Sequence, residues 1–224
     1  MNFVMSYSCG KDSTLALHKM VQAGHTPVCL LVMVKRDEAR SYFHGADPDM
    51  LREYEAALGL PMVLCPSDGA DYPAALEAGL RKAKAMGAEG AAFGDIDLEA
   101  NRAWEEARCG HTGLTPFFPL WQRGRRDNVG ELLRLGYRCL IKSVNNTLLP
   151  ETLLGRYLDP ETVRIMERAG VDVCGENGEY HTLAVDGPVF QAPLAFATGP
   201  VLRFGDYSVI AVETARAGRA SSID

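Results

Sequence analysis

The stretch Ser8-Cys9-Gly10-Lys11-Asp12-Ser13 constrains this chain more than any other. It follows a short apolar run, Phe3-Val4-Met5. It precedes a helical pattern carrying Leu15, Leu17, Met20 and Val21, with Gly24 as a stop. The order strand, tight loop, helix start leaves unpaired backbone N–H groups and the positive end of a helix dipole at the loop. That geometry binds phosphate. Gly10 permits close backbone approach, Lys11 adds a cation, and Ser8 and Ser13 add hydroxyls. Asp12, a carboxylate beside phosphates, suits Mg²⁺ or a helix cap. The stretch is neither Gly-x-x-x-x-Gly-Lys-Ser/Thr nor Gly-x-Gly-x-x-Gly. A plain helix cap with an incidental lysine is the competing account, and six residues in a strand-to-helix context weigh against it.

Bulk properties narrow the class. A chain of 224 residues suffices for one large domain or two small ones with a substantial core. With 47% hydrophobic and 23% charged residues it reads as soluble and globular. A net charge of −6 argues against bulk binding to a nucleic-acid backbone. The N-terminus runs straight into a strand, so no signal peptide is expected, and no apolar run is long enough to span a bilayer. The six cysteines, Cys9, Cys29, Cys65, Cys109, Cys139 and Cys174, form no Cys-x-x-Cys pair, and several sit in apolar runs. A reduced, cytoplasmic setting is therefore expected, with no disulfide framework and no structural zinc.

Residues 27–34 form a continuous apolar run, the pattern of a strand buried on both faces of a parallel sheet. Residues 35–45 read as a loop at that strand's C-terminal end. Asp47-Pro48 opens a helix carrying Met50, Leu51, Tyr54 and Leu58, which Gly59 ends. Residues 62–65 are a third strand and 71–86 a third helix. Ala91-Ala92-Phe93 leads into Gly94-Asp95-Ile96-Asp97, with Asp97 as the cap of a fourth helix holding Arg102 and Trp104. Residues 114–118 form a fifth strand broken by Pro116. This alternation predicts an α/β, Rossmann-like parallel sheet with helices on both faces, and a ligand at the strands' C-terminal ends.

After about Arg126 the rhythm changes, so residues 1–126 and 127–224 are read as a nucleotide-type domain and a smaller α+β domain packed on it. Helices are expected at 127–135 and 160–169, the latter capped by Asp159. Strands are expected at 138–144, with Lys142 inside, and at 201–204 and 207–213. Residues 218–224 read as a frayed tail. His18 reads as a packed or surface histidine, and His111 is open between a site and a surface role. Trp104 and Trp121 are divided between core and site. Arg123 to Arg126 reads as a solvated turn, or as a contact for phosphate or an acidic partner.

A second constellation is Gly175-Glu176-Asn177-Gly178-Glu179-Tyr180-His181, in which two carboxylates, an amide, a phenol and an imidazole crowd between glycines. Taken alone it is equally a hairpin turn, since Asn-Gly is a strong turn signal. The Ser8–Ser13 stretch resembles the PP-loop of the ATP pyrophosphatases, usually Ser-Gly-Gly-x-Asp-Ser, with Cys9 replacing the first glycine. Together with Gly-Glu-Asn-Gly-Glu-Tyr-His-Thr it resembles the diphthine–ammonia ligase family. Ala23-Gly24-His25, Ser41-Tyr42, Ala57 to Pro61, Phe93 to Ile96, Arg102-x-Trp104, Phe118 to Trp121 and Gly170 to Cys174 extend the likeness to about Phe190.

The resemblance implies a HUP-type ATP pyrophosphatase domain and ATP-dependent amidation of a carboxylate, with AMP and pyrophosphate as products. It implies ATP and Mg²⁺ as cofactors, ammonia taken from solution, and diphthine on translation elongation factor two as substrate. It points to Lys11, Asp12, Glu176 and Glu179 as catalytic, with Asp12 on Mg²⁺ and a loop glutamate as base or ammonium ligand. It points to Ser8 through Ser13, Val34, Gly94 and Asp95 as nucleotide-binding. Ser41, Tyr42, His44, Arg102, Trp104, Trp121, Lys142, Asn177, Tyr180 and His181 are expected to bind substrate. The Gly175–His181 loop is expected across a cleft from Gly10 and Lys11, with Glu176, Asn177 and Glu179 facing the nucleotide. Assembly into a homo-oligomer is left open. Two other readings stand beside this one: a related enzyme adenylating a different carboxylate or a tRNA base, and a non-catalytic adenine-nucleotide-binding protein. The acidic charge and absent Cys-x-x-Cys pairs disfavour tRNA thiolation, and the carboxylate-rich loop disfavours a sensor.

Overall fold

A computed structural model of the chain describes residues 1–38, 40–42 and 44–215. The frayed tail expected at 218–224 lies outside the described residues. Five strands form a parallel sheet: β1 (Asn2–Ser6), β2 (Thr26–Lys35), β3 (Met62–Ser67), β4 (Gly90–Ala92) and β5 (Thr115–Phe117). Their spatial order is β3-β2-β1-β4-β5, so the order reverses between β1 and β4. Pro66 and Pro116 fall in β3 and β5, the two edge strands, where a missing N–H costs the ladder least.

The period of two along each strand sorts the core into two faces. Phe3, Met5, Leu30, Val32 and Val34 point to one face. There they meet Leu15, Leu17 and Met20 of α1 (Lys11–Gln22) and Met50, Leu51, Tyr54 and Leu58 of α2 (Pro48–Leu58). Val4, Cys29, Leu31 and Met33 point to the other. That side packs Leu76, Leu80 and Ala83 of α3 (Tyr72–Ala85) and Cys109 of α4 (Glu99–Thr112). Helix α2 starts as expected, with Asp47 accepting from Met50 N at 2.8 Å, and Gly59 ends it at φ +64°. Helix α4 does not: Leu98 is its N-cap, and Asp97 is paired with an arginine instead.

Helix α5 (Arg125–Arg134) leads to an antiparallel sheet of β6 (Arg138–Asn145), β7 (Tyr180–Asp186), β8 (Phe196–Phe204) and β9 (Tyr207–Thr214), in the order β7-β6-β9-β8. Helix α6 (Pro160–Ala169) carries a capping box between Asp159 and Thr162. The expected loop through His181 is shorter than anticipated, because Tyr180 and His181 begin β7. The Asn177-Gly178 turn closes no hairpin. Apolar residues of this sheet, including Cys139, Ile141, Leu183, Val185 and Val212, join the same cluster as Phe3 and Met5. The two sheets therefore share one continuous core.

The junction also uses backbone. Ala184 N of β7 donates to the Cys9 carbonyl at 2.9 Å, and Lys11 N donates to Thr182 Oγ1 at 3.2 Å. The fully buried Tyr54 hydroxyl donates to the Ala184 carbonyl at 2.7 Å and lies 3.3 Å from the Cys9 carbonyl. The free edge of β7 is thus spent on the loop before α1. All six cysteines are buried and unbridged. No helix among the described residues is long and apolar enough to cross a membrane. Tyr54→Phe removes a donor from a buried carbonyl and is expected to cost about 1–3 kcal/mol, read as a lower midpoint in urea denaturation. An unchanged midpoint would show that this hydroxyl contributes nothing to the junction.

Candidate functional site

A cavity of about 490 Å³ opens at the C-terminal ends of β1 and β2, beside the point where the strand order reverses. It is lined by Ser8, Asp12 and Ser13 around the start of α1, by Ser41, Tyr42 and His44 after β2, by Gly94 and Asp95 after β4 with Trp104 of α4, and by Glu176 and His181. These eleven residues, drawn from five distant stretches, share one cavity. Ser8 Oγ and Ser13 Oγ lie 3.0 Å apart. A side chain on Gly94 would begin 3.0 Å from Ser13 N, so glycine at 94 keeps the start of α1 open.

The turn itself differs from expectation. Gly10 is the N-cap of α1 at φ −88°, and the left-handed residue is Cys9, at φ +70°. A non-glycine residue in that region costs about 1–2 kcal/mol. It is held there by the hydrogen bond from Ala184 and by complete burial of the Cys9 side chain. Gly10 does face a close neighbour, since a Cβ there would lie 2.8 Å from His44 Cε1. Asp12 caps nothing. It sits in the first turn and accepts from Lys11 Nζ at 2.6 Å.

Lys11 is buried, and its ammonium lies over the Tyr180 ring at 5.6 Å. Burial opposes its charge, but Asp12, Cys174, Tyr180 and Glu176 outweigh it and raise its pKa. Glu176 is pushed up to about 7, chiefly by burial and next by the Asp12 carboxylate. Single donor atoms of Asp12, Cys174 and Glu176 lie within 4.8 Å of one another. His44 and His181 meet edge to face at 5.4 Å. Burial and neighbouring positive groups lower both pKa values, His44 strongly, so both imidazoles are neutral at pH 7.

Several expected residues lie outside the cavity wall, each for a visible reason. Glu179 is 4% exposed, and its carboxylate accepts from Asp172 N, Asn177 N and Asn177 Nδ2. It organises the loop and does not face a ligand, and Asn177 is spent on it. Tyr180 is buried with its hydroxyl on the Val173 carbonyl. Val34 belongs to the core. Arg102 stacks on Trp121 at 4.8 Å and pairs with Glu106. Lys142 is buried in β6, its ammonium on the His44 carbonyl, with its pKa pushed down to about 8 by burial and by Arg40. It holds the 36–46 loop and does not reach the cavity.

Sequence reasoning missed Tyr72, Asn101 and Glu105, which also line the cavity. Asn101, Trp104 and Glu105 follow the i, i+3, i+4 spacing of one helical face, the signal that was present. Arg125, read as part of a solvated turn, clamps Asp97 at 2.7 and 2.8 Å and Asp172 at 2.6 Å. It ties the β4–α4 link to the segment that carries Glu176. Arg123 and Arg126 pair with Glu131 and Glu167. His18 is a packing residue bonded to Tyr137 at 2.9 Å, and His111 pairs with Glu77.

Burial and Asp12 make the folded chain bind the Glu176 proton more tightly than the unfolded chain. Stability from this group therefore falls as pH rises from the ordinary carboxylate range to about 7. Glu176→Gln is expected to raise the thermal midpoint at pH 8 and leave it unchanged at pH 4. No gain at pH 8 would refute the strained placement of this carboxylate.

The chain matches two family models: "Diphthamide synthase N-terminal domain" over residues 1–116 and "Diphthamide synthase C-terminal domain" over residues 126–215. A zebrafish (Danio rerio) protein named diphthine–ammonia ligase is 28% identical over 92% of this chain and 91% of its own length. The human protein of that name is 27% identical over 87% of this chain and 82% of its own length. A solved structure from Methanocaldococcus jannaschii, titled as a predicted subunit of tRNA methyltransferase, aligns with a TM-score of 0.44 at 14% identity. It covers 87% of this chain and 100% of that one.

Proposed function

The chain belongs to the diphthamide synthase family, and from that premise we propose that it is an ATP-dependent ligase that adenylates a substrate carboxylate and transfers it to ammonia. The observation that carries this reading is one cavity lined by both the open start of α1 and Glu176. The relatives are named for diphthine and ammonia. Diphthine on elongation factor two is accordingly the substrate to test, with ammonia drawn from solution.

ATP fits the lining around the start of α1. The Ser8 and Ser13 hydroxyls and the backbone at the start of α1 offer donors to phosphate oxygens, and the helix dipole adds partial positive charge there. The room left by Gly94 is the observation that favours a phosphate at this point, since any side chain would cover Ser13 N. Lys11 lies behind that lining. Its charge, held by Asp12, contributes to the field felt by a leaving pyrophosphate rather than forming a contact the structure displays.

Mg²⁺ fits Asp12 and Glu176. Burial and the Asp12 carboxylate raise the proton affinity of Glu176, a cost that a divalent cation relieves, and both carboxylates offer the oxygen atoms that Mg²⁺ prefers. Cys174 is a poor third ligand, because burial holds its thiol protonated. When bound, the ion screens phosphate charge and orients the phosphates for in-line displacement.

In the reaction the substrate carboxylate attacks the α-phosphorus, the bond to the bridging oxygen breaks, and pyrophosphate departs with that electron pair. Ammonia then attacks the acyl carbon, and AMP leaves. The acyl-adenylate must be kept from water. The neutral imidazoles of His44 and His181, with Tyr42, line the cavity and limit the water it admits. Glu179 serves indirectly, by fixing the loop that presents Glu176. ATP use and the buried, unbridged thiols support a cytoplasmic setting for this work.

Incubation with ATP, Mg²⁺, an ammonium salt and diphthine-bearing elongation factor two should yield AMP and pyrophosphate in equal amounts. Asp12→Ala and Ser13→Ala should each lower turnover by roughly 10²–10³-fold, with unchanged circular dichroism. ADP and inorganic phosphate as products would overturn the reading, as would a variant with near-normal turnover at saturating ATP.

A further inference from the structure

A second concave surface shares no lining residue with the cavity at the start of α1. It is a groove of about 430 Å³ between α5 and α6. Its apolar lining is Val129 and Leu133 of α5 with Pro160 and Val163 of α6. The spacing is i, i+4 on α5 and i, i+3 on α6, so each helix turns one face to the groove. Val129 is buried, and Leu133 and Val163 pack half-buried on the main core, which holds the lining rigid from below. Gly130 falls inside α5, where glycine costs about 1 kcal/mol against alanine, and it leaves a notch in the same face.

The rim is basic in a chain whose net charge is −6. Arg126 and Arg164 line the groove with Glu167, and Arg126 pairs with Glu167. The Arg134 guanidinium lies against Gly130, where an added Cβ would be 3.3 Å from Arg134 Nη1. Among the described residues, Arg134 and Arg164 have no ion pair, and both are exposed. The acids of the same two helices are engaged elsewhere. Asp127 folds back on Gly124, Glu131 pairs with Lys19 and Arg123, and Glu161 pairs with Arg156. Two uncompensated guanidinium groups, one from each helix, therefore flank an apolar floor.

Shape and charge together select the occupant. Helices α5 and α6 have 10 residues each, so the groove between them is about 15 Å long, close to three turns of a third helix. A helix in such a groove sets apolar residues at i, i+4 and i+7 on the floor. Carboxylates on its flanks then meet Arg134 on one side and Arg164 on the other. A bilayer surface is too flat to enter the groove, and a small polar anion leaves the apolar floor unmatched.

We propose that the α5–α6 groove docks an acidic amphipathic helix of a partner protein. Such docking does not require the ligase reading to hold. Arg125, next to Arg126, clamps Asp172 in the segment that leads to Glu176. A partner seated here thus lies beside an element that shapes the cavity.

The probe is a synthetic helical peptide of about fifteen residues, with leucine at i, i+4 and i+7 and glutamate on both flanks. One twin carries lysine in place of glutamate, and a second carries serine in place of leucine. Each is titrated into the isotope-labelled full-length protein and followed by amide shifts in NMR. Saturable binding of the acidic peptide is expected, with shifts centred on α5 and α6. Each twin should bind about tenfold more weakly or worse. The Arg134→Glu/Arg164→Glu double variant should weaken the acidic peptide by a similar factor and tighten the lysine twin, a reversal that damage to the fold does not produce. Absence of saturable binding, shifts centred on the Ser8–Ser13 turn, or unchanged affinity in the double variant overturns the site. Binding to phosphatidylserine vesicles that the acidic peptide fails to displace also overturns it, and assigns the basic rim to a membrane surface.

Discussion

The hydrogen bond from Ala184 N to the Cys9 carbonyl is the contact on which the cavity depends. It joins the edge of an antiparallel sheet to the turn that starts α1, across 175 positions of chain. It stabilises a left-handed cysteine where glycine would be at ease. It also consumes the backbone edge of β7, which would otherwise be open to pairing. Tyr54 reinforces it from α2, so the turn is fixed by elements from both sheets. Rigid presentation of backbone donors is what a phosphate site requires, because donors that must reorganise contribute less to charge stabilisation.

A second clamp sets the other side. Arg125 bridges Asp97 and Asp172, and Glu179 gathers the loop amides that follow. Together they carry Glu176 into the cavity beside Asp12. Charged groups here divide into two kinds. Those with full sets of partners, Arg125 and Glu179, shape the backbone. Those left strained, Glu176 and Glu105, have proton affinities raised by burial and by a like charge. Strain of the second kind is what a ligand relieves, which is why perturbed carboxyls mark functional surfaces.

The two strained carboxyls also differ in their surroundings. Glu176 sits with Asp12, donor atoms of the two carboxylates lying within 4.8 Å of one another. Glu105 sits with Asp95 beside the rings of Tyr72 and Trp104.

Local pattern alone determined a good deal of this molecule. The strand-to-helix context of Ser8–Ser13, the continuous apolar run of β2, the Asp47-Pro48 and Asp159-Pro160 helix starts and the parallel α/β class all follow from near neighbours in the chain, whose propensities and periodicity act locally. Which carboxylates face the cavity did not follow. Glu176 and Glu179 are three residues apart in one loop, yet one lines the cavity and the other is buried in amide hydrogen bonds. That difference depends on how the segment from Asp172 is anchored by Arg125, 47 positions earlier in the chain. Likewise Asp97 reads as a helix cap until Arg125 is brought beside it, and Glu105 draws no notice in the sequence until the fold places Asp95 against it. Desolvation and pairing energies arise only when distant segments meet, so the tertiary structure alone decided which acids are spent on the fold and which remain for chemistry.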